Sequence, residues 1–119
     1  IEKQYIYYYT NKDAALFIDL VRIYWKIRLN KVGLLDFFEQ ELLHPVILLF
    51  GSLAKAEVRP DSDIDIAIFT NTKKGLNLEK YEKLLKRKIQ IFVFAKREEV
   101  KSSHLLNNIL NGYILRGKF

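Results

Sequence analysis

Cysteine and methionine are both absent from this 119-residue chain, and proline occurs only twice. Without cysteine there is no disulfide scaffold, no cysteine zinc site and no thiol nucleophile. His44 and His104 are the only histidines, which argues against a multi-histidine metal centre. Long uncharged apolar runs are also missing. The densest apolar segment, Ala14 to Leu29, is interrupted by Asp19, Arg22, Lys26 and Arg28, charges that a bilayer-spanning helix would bury at high cost. The N-terminus lacks the basic tip and apolar stretch of a signal peptide. The expectation is a soluble, cytoplasmic protein with no membrane contact. The lack of methionine even at position 1 is what a piece of a longer or processed chain would show.

What is present can build a core. Half of the residues are hydrophobic and 29% are charged, which excludes a disordered segment. The length suits one small domain with an extra arm. Twenty Lys and Arg against fourteen Asp and Glu give a net charge of +6, a balance suited to an anionic partner such as nucleotide or nucleic acid without specifying one. Abundant Lys, Glu and Ile without Cys or Met fit a thermophilic source.

The chain divides near His44. Before it, Gln4 to Tyr9 reads as a short strand and Asn11 as a helix cap. A long helix follows over about Lys12 to Lys31, with Leu16, Leu20, Ile23 and Ile27 at three- and four-residue spacing. Phe17, Val21, Tyr24 and Trp25 make the apolar stripe too wide for a single packing partner. It is expected to pack on the following domain and on a second copy of the chain, giving a homodimer. Gly33 ends this helix, and a second covers Leu34 to Leu43. Residues 1–44 are thus a strand and helical arm, and residues 45–119 a small α/β domain.

In that domain Val46 to Phe50 is a buried strand and Gly51-Ser52 a tight turn, with a short helix expected over Leu53 to Glu57. Arg59 to Ser62 forms a turn. Asp63 to Phe69 is a strand with Ile64, Ile66 and Ile68 on one face. Leu78 to Leu85 is a helix with Tyr81, Leu84 and Leu85 inward, Lys88 to Phe94 a third strand, Lys96 to Leu110 a helix, and Gly112 to Leu115 a last short strand. The basic cluster Lys83, Lys86, Arg87 and Lys88 fits a solvated helix end as well as a nucleic-acid contact.

The chemistry concentrates between Leu48 and Phe69. Residues two apart in a strand point to one face, so Asp63 and Asp65 project together. Two convergent carboxylates suit a hard divalent cation. Gly51 lets backbone approach a phosphate closely, while the Ser52 hydroxyl, free N–H groups and Lys55 supply donors and positive charge. A calcium-loop reading of Asp61, Asp63 and Asp65 fails, because its sixth position would be Ile66 and its twelfth Thr72.

Gly51-Ser52-x-Ala54 followed by Arg59-Pro60-Asp61-Ser62-Asp63-Ile64-Asp65 resembles the signature of the DNA polymerase β nucleotidyltransferase superfamily, in particular the minimal nucleotidyltransferases of archaea and bacteria. The resemblance covers about Pro45 to Leu115. It implies a small mixed sheet covered by helices, a nucleoside triphosphate donor, with ATP the first choice, and magnesium. It also implies phosphate binding by Gly51, Ser52 and Lys55, and Mg2+ ligation by Asp63 and Asp65. The implied reaction moves a nucleoside monophosphate to a hydroxyl acceptor. In related two-gene systems the acceptor is a partner toxin protein, so an antitoxin-like enzyme is implied. The chain departs from the pattern twice. Ala56 stands where the family usually has glycine, a mild change if the backbone there is helical. Gln90 stands where the family's third carboxylate is expected, and a neutral amide cannot act as a base. The start of the chain resembles the wing and following helix of winged-helix regulators, which would bring DNA as a partner. The alternative reading is therefore a catalytically weak nucleotide-binding domain of a transcriptional regulator.

Overall fold

Pro45 stands between two helices and the first strand of a sheet. In the computed structural model, which describes residues 11–56, 59 and 61–119, helix α1 spans Asn11–Lys31 and helix α2 spans Leu34–Glu41. Gly33 joins them at φ 84°, a left-handed conformation that glycine adopts without steric cost. Asn11, read as the cap, already lies within α1. The strand expected at Gln4 to Tyr9 lies outside the described residues.

After Pro45 come β1 (Val46–Phe50), β2 (Ile64–Phe69), α3 (Glu79–Leu85), β3 (Ile89–Phe94), α4 (Ser103–Leu110) and β4 (Tyr113–Arg116). The strands form one mixed sheet in the order β3-β2-β1-β4. β1 pairs antiparallel with β2 and with β4, and β2 pairs parallel with β3. The parallel pair needs a crossover, which α3 supplies.

Strand alternation divides the core into two layers. Ile47, Leu49, Ile64, Ile66 and Ile68 join Trp25, Leu29, Leu34, Leu35 and Phe38 in a larger cluster under α1 and α2. Val46, Leu48, Phe50, Ala67 and Phe69 meet Val100 and Ile109 in a smaller cluster on the other face. β1 is buried on both faces, so its sequence is a continuous apolar run rather than an alternation. Arg116 on β4 bonds Asp36 at 2.8 Å and also reaches Glu39 and Asn30, fastening the sheet edge to both helices.

Several expectations are corrected. Residues 53–56 form successive hydrogen-bonded turns in place of a helix, with the Lys55 N–H on the Gly51 carbonyl at 3.2 Å and the Ala56 N–H on that of Leu53 at 3.3 Å. The region from Lys96 to Leu110 is split: Arg97–Glu99 is a 3-10 turn, buried Val100 is extended, and Ser102 caps α4 by accepting the Leu105 N–H. Burial of Val100 and the serine cap compete with a continuous helix there. Leu84 is exposed, because the short α3 turns only Tyr81 and Leu85 inward. On α1, the buried side carries Trp25 and Leu29, while Leu16, Leu20, Ile23 and Ile27 face solvent.

Ala56 lies at φ 60°, so its backbone is left-handed, not helical, and the departure from glycine carries strain. A left-handed L-residue costs roughly 1–2 kcal/mol, partly offset by the greater unfolded-state freedom of glycine. Ala56→Gly should therefore stabilise the protein by up to about 1 kcal/mol, read as a higher urea midpoint with an unchanged slope.

Candidate nucleotide-binding site

The antiparallel register of β1 and β2 builds the site. Phe50 pairs with Asp65, so the residue after Phe50 passes directly over the carboxylate. That residue is Gly51, at φ 74°, and a Cβ there would lie 2.2 Å from Asp65 Oδ2. Only glycine allows both the left-handed turn and this approach. Ser52 and exposed Lys55 follow on the same turn.

The parallel register of β2 and β3 adds the third group. Asp65 pairs with Gln90, and Gln90 Nε2 donates to Asp63 Oδ2 at 3.0 Å. The structure thus brings Asp63, Asp65, Gly51 and Gln90 together at one end of the sheet, with Gln90 occupying the place beside the two aspartates. Among the described residues no group of three or more His, Cys, Asp or Glu side chains converges as a metal site. The donor set is two carboxylates and one amide.

Electrostatics mark Asp65. Burial raises its pKa above the usual carboxylate range, and the neighbouring Asp63 charge raises it further. A partly buried carboxylate beside a second one fits a hard cation, which would relieve their mutual repulsion. As a ligand, Gln90 would have to present Oε1 in place of the Nε2 that now faces Asp63.

Two arginines brace the site, and sequence reasoning passed over both. Arg22 Nε on α1 donates to the Ala54 carbonyl at 2.7 Å, and its Nη2 to the Asn111 carbonyl at 3.1 Å. The turn that follows Gly51 is therefore tied to helix α1. Arg87 donates to the carbonyls of Ser62 at 2.7 Å and Arg59 at 2.9 Å, fixing the loop that delivers Asp63. Its guanidinium lies 5.1 Å from the ring centre of buried Trp25, a cation–π contact. Both arginines bond main-chain carbonyls, which carry no side-chain signature, and each was readable only as a charge. His44 and His104 are exposed and do not enter the site. A surface concavity lined by Phe37, Asn77, Lys80 and Tyr81 shares no residue with it.

A scan of family models matches residues 34–115 to the polymerase beta nucleotidyltransferase domain. The chain belongs to that family. The match spans more than half of the chain and takes in α2 and all of the sheet but Arg116, the last residue of β4. No curated protein matches it. Among the described residues no helix is long and apolar enough to cross a membrane. Membership fixes a nucleotidyltransferase-like domain.

Two outcomes are expected. The folded-state pKa of Asp65 lies above its unfolded value, so the folded chain holds that proton more tightly. The associated stability is present at low pH and is lost as pH rises through the carboxylate range to the raised value. Asp65→Asn should accordingly raise the melting temperature at neutral pH and flatten this pH dependence, measured by thermal melts from about pH 4 to about pH 7. Arg22→Met keeps the apolar stem but removes a charged donor to a part-buried carbonyl. It should destabilise the protein by about 1.5 kcal/mol in urea unfolding.

Proposed function

We propose that this nucleotidyltransferase domain binds a magnesium–nucleoside triphosphate, with ATP the first choice, and slowly transfers its nucleoside monophosphate to a hydroxyl acceptor, breaking the bond between the α- and β-phosphates and releasing pyrophosphate. The observation that carries this reading is the amide of Gln90, in register with Asp65 and hydrogen-bonded to Asp63. Asp63 and Asp65 are the groups that would hold Mg2+. The ion would supply charge neutralisation at the phosphates. The Gly51 turn brings backbone and the Ser52 hydroxyl to the phosphates, and Lys55 adds positive charge. Arg22 and Arg87 keep the two loops in place without touching the nucleotide.

Gln90 limits the reaction at the acceptor. A carboxylate at this position would attract a cation to the acceptor side and accept the hydroxyl proton. An amide does neither well, and it stabilises the Asp63 carboxylate by donating to it. The acceptor we favour is a protein hydroxyl on a toxin-like partner, which would make the chain antitoxin-like. Gln90 also favours a second reading, a nucleotide sensor within a DNA-binding regulator, in which binding without turnover is the function.

Gln90→Asp separates chemistry from binding. Transfer from labelled ATP to an acceptor protein should rise by roughly a hundred-fold or more, within the range of general-base catalysis. ATP affinity in the presence of magnesium, measured by calorimetry, should change much less. A parent protein that already turns over rapidly, with no gain in the variant, would remove Gln90 from the acceptor position. If neither protein transfers label but both bind ATP with magnesium, the sensor reading gains.

A further inference from the structure

Helix α1 has two apolar faces, and among the described residues the fold packs against only one. With 3.6 residues per turn, Trp25, Leu29 and Val21 lie on one side, and Leu16, Leu20, Ile23 and Ile27 fall within about 60° of one another on the opposite side. The first group packs into the core. The second is 44–56% exposed, and neighbouring Tyr24 is 53% exposed. Their spacing of four, three and four residues is the seam of a two-heptad coiled coil.

Charge along the helix selects a partner and a direction. Its second half carries Arg22, Lys26, Arg28 and Lys31 with no acid, whereas Asp19 lies in the first half. Asp19 and Lys26 occupy the same flank of the seam, seven residues apart. Two parallel copies would set one basic half against the other. Two antiparallel copies, with Leu16 opposite Ile27 and Leu20 opposite Ile23, set Asp19 of each beside Lys26 of the other and oppose the helix dipoles.

From this we infer that the exposed seam of α1 is an antiparallel, two-fold interface with a second copy of this chain. The surface is self-complementary, as a closed two-fold dimer requires. Pairing leaves the opposite face undisturbed, so the Arg22 and Trp25 contacts with the site loops persist in each copy. The inference rests on the helix alone and is independent of the nucleotide reading.

The cysteine-free chain makes the test direct. Leu16→Cys and Ile27→Cys are each exposed, conservative changes. Mixed and treated with a short bis-maleimide, they should cross-link to each other, whereas each alone should not. The two positions are about 16 Å apart along a helix, which such a reagent cannot span between parallel-mismatched sites. Efficient self-linking of Leu16→Cys would establish parallel pairing and overturn the proposal. Light scattering of the unmodified protein should give a dimer mass. Leu20→Glu with Ile23→Glu should give a monomer whose far-ultraviolet dichroism is unchanged. An unmodified protein that stays monomeric to millimolar concentration, or a double variant that stays dimeric, would also overturn it.

Discussion

The pairing of Phe50 with Asp65 governs the rest of the site. It brings a buried strand to its end beside a carboxylate and forces the next residue to cross above that carboxylate. Glycine is demanded twice, once by the backbone angle and once by the missing Cβ. The cost of crowding Asp65 against backbone and Asp63 appears as its raised pKa. Perturbed carboxylates of this kind cluster at functional sites.

The arm contributes to this arrangement through its side chains. Arg22 reaches the turn after Gly51, and Trp25 supports Arg87, which in turn holds the carbonyls preceding Asp63. Both loops of the site are thus referenced to one rigid helix. A helix of 21 residues resists bending, so the relative placement of the two loops is set by a single body.

Strand patterns made the centre of the fold readable. The Val46 to Phe50 run could only be a fully buried strand, and the two-residue period placed Asp63 and Asp65 together and Ile64, Ile66 and Ile68 on the opposite face. Gln90 was picked out by the family resemblance, which implies a third carboxylate on the later strand, and not by any strand pattern. The short segment after Gly51 was misread because four residues between turns carry no periodic signal, and a left-handed Ala56 gives none at all. The break before Ser102 was missed for a related reason: Lys96 to Leu110 keeps a helical composition, and the burial of Val100 together with the Ser102 cap divides it. Arg22 and Arg87 were beyond reach because their acceptors are carbonyls of distant residues, at separations of 32 and 25 positions.

The order of strands also has a consequence for synthesis. β1 is central, and one of its edges is completed only by β4, with Leu48 opposite Ile114. While the chain emerges from the ribosome, the most apolar strand therefore has an unpaired edge until almost all of the domain has been translated. Open apolar edges recruit other strands, and distant pairings form slowly. Nascent chains of this protein should depend on early docking of α1 and α2, which cover one face of β1 but leave that edge bare. Completion of the sheet waits for β4, and crowding of unfinished chains on a polysome is the stage at which mispairing between copies competes with folding.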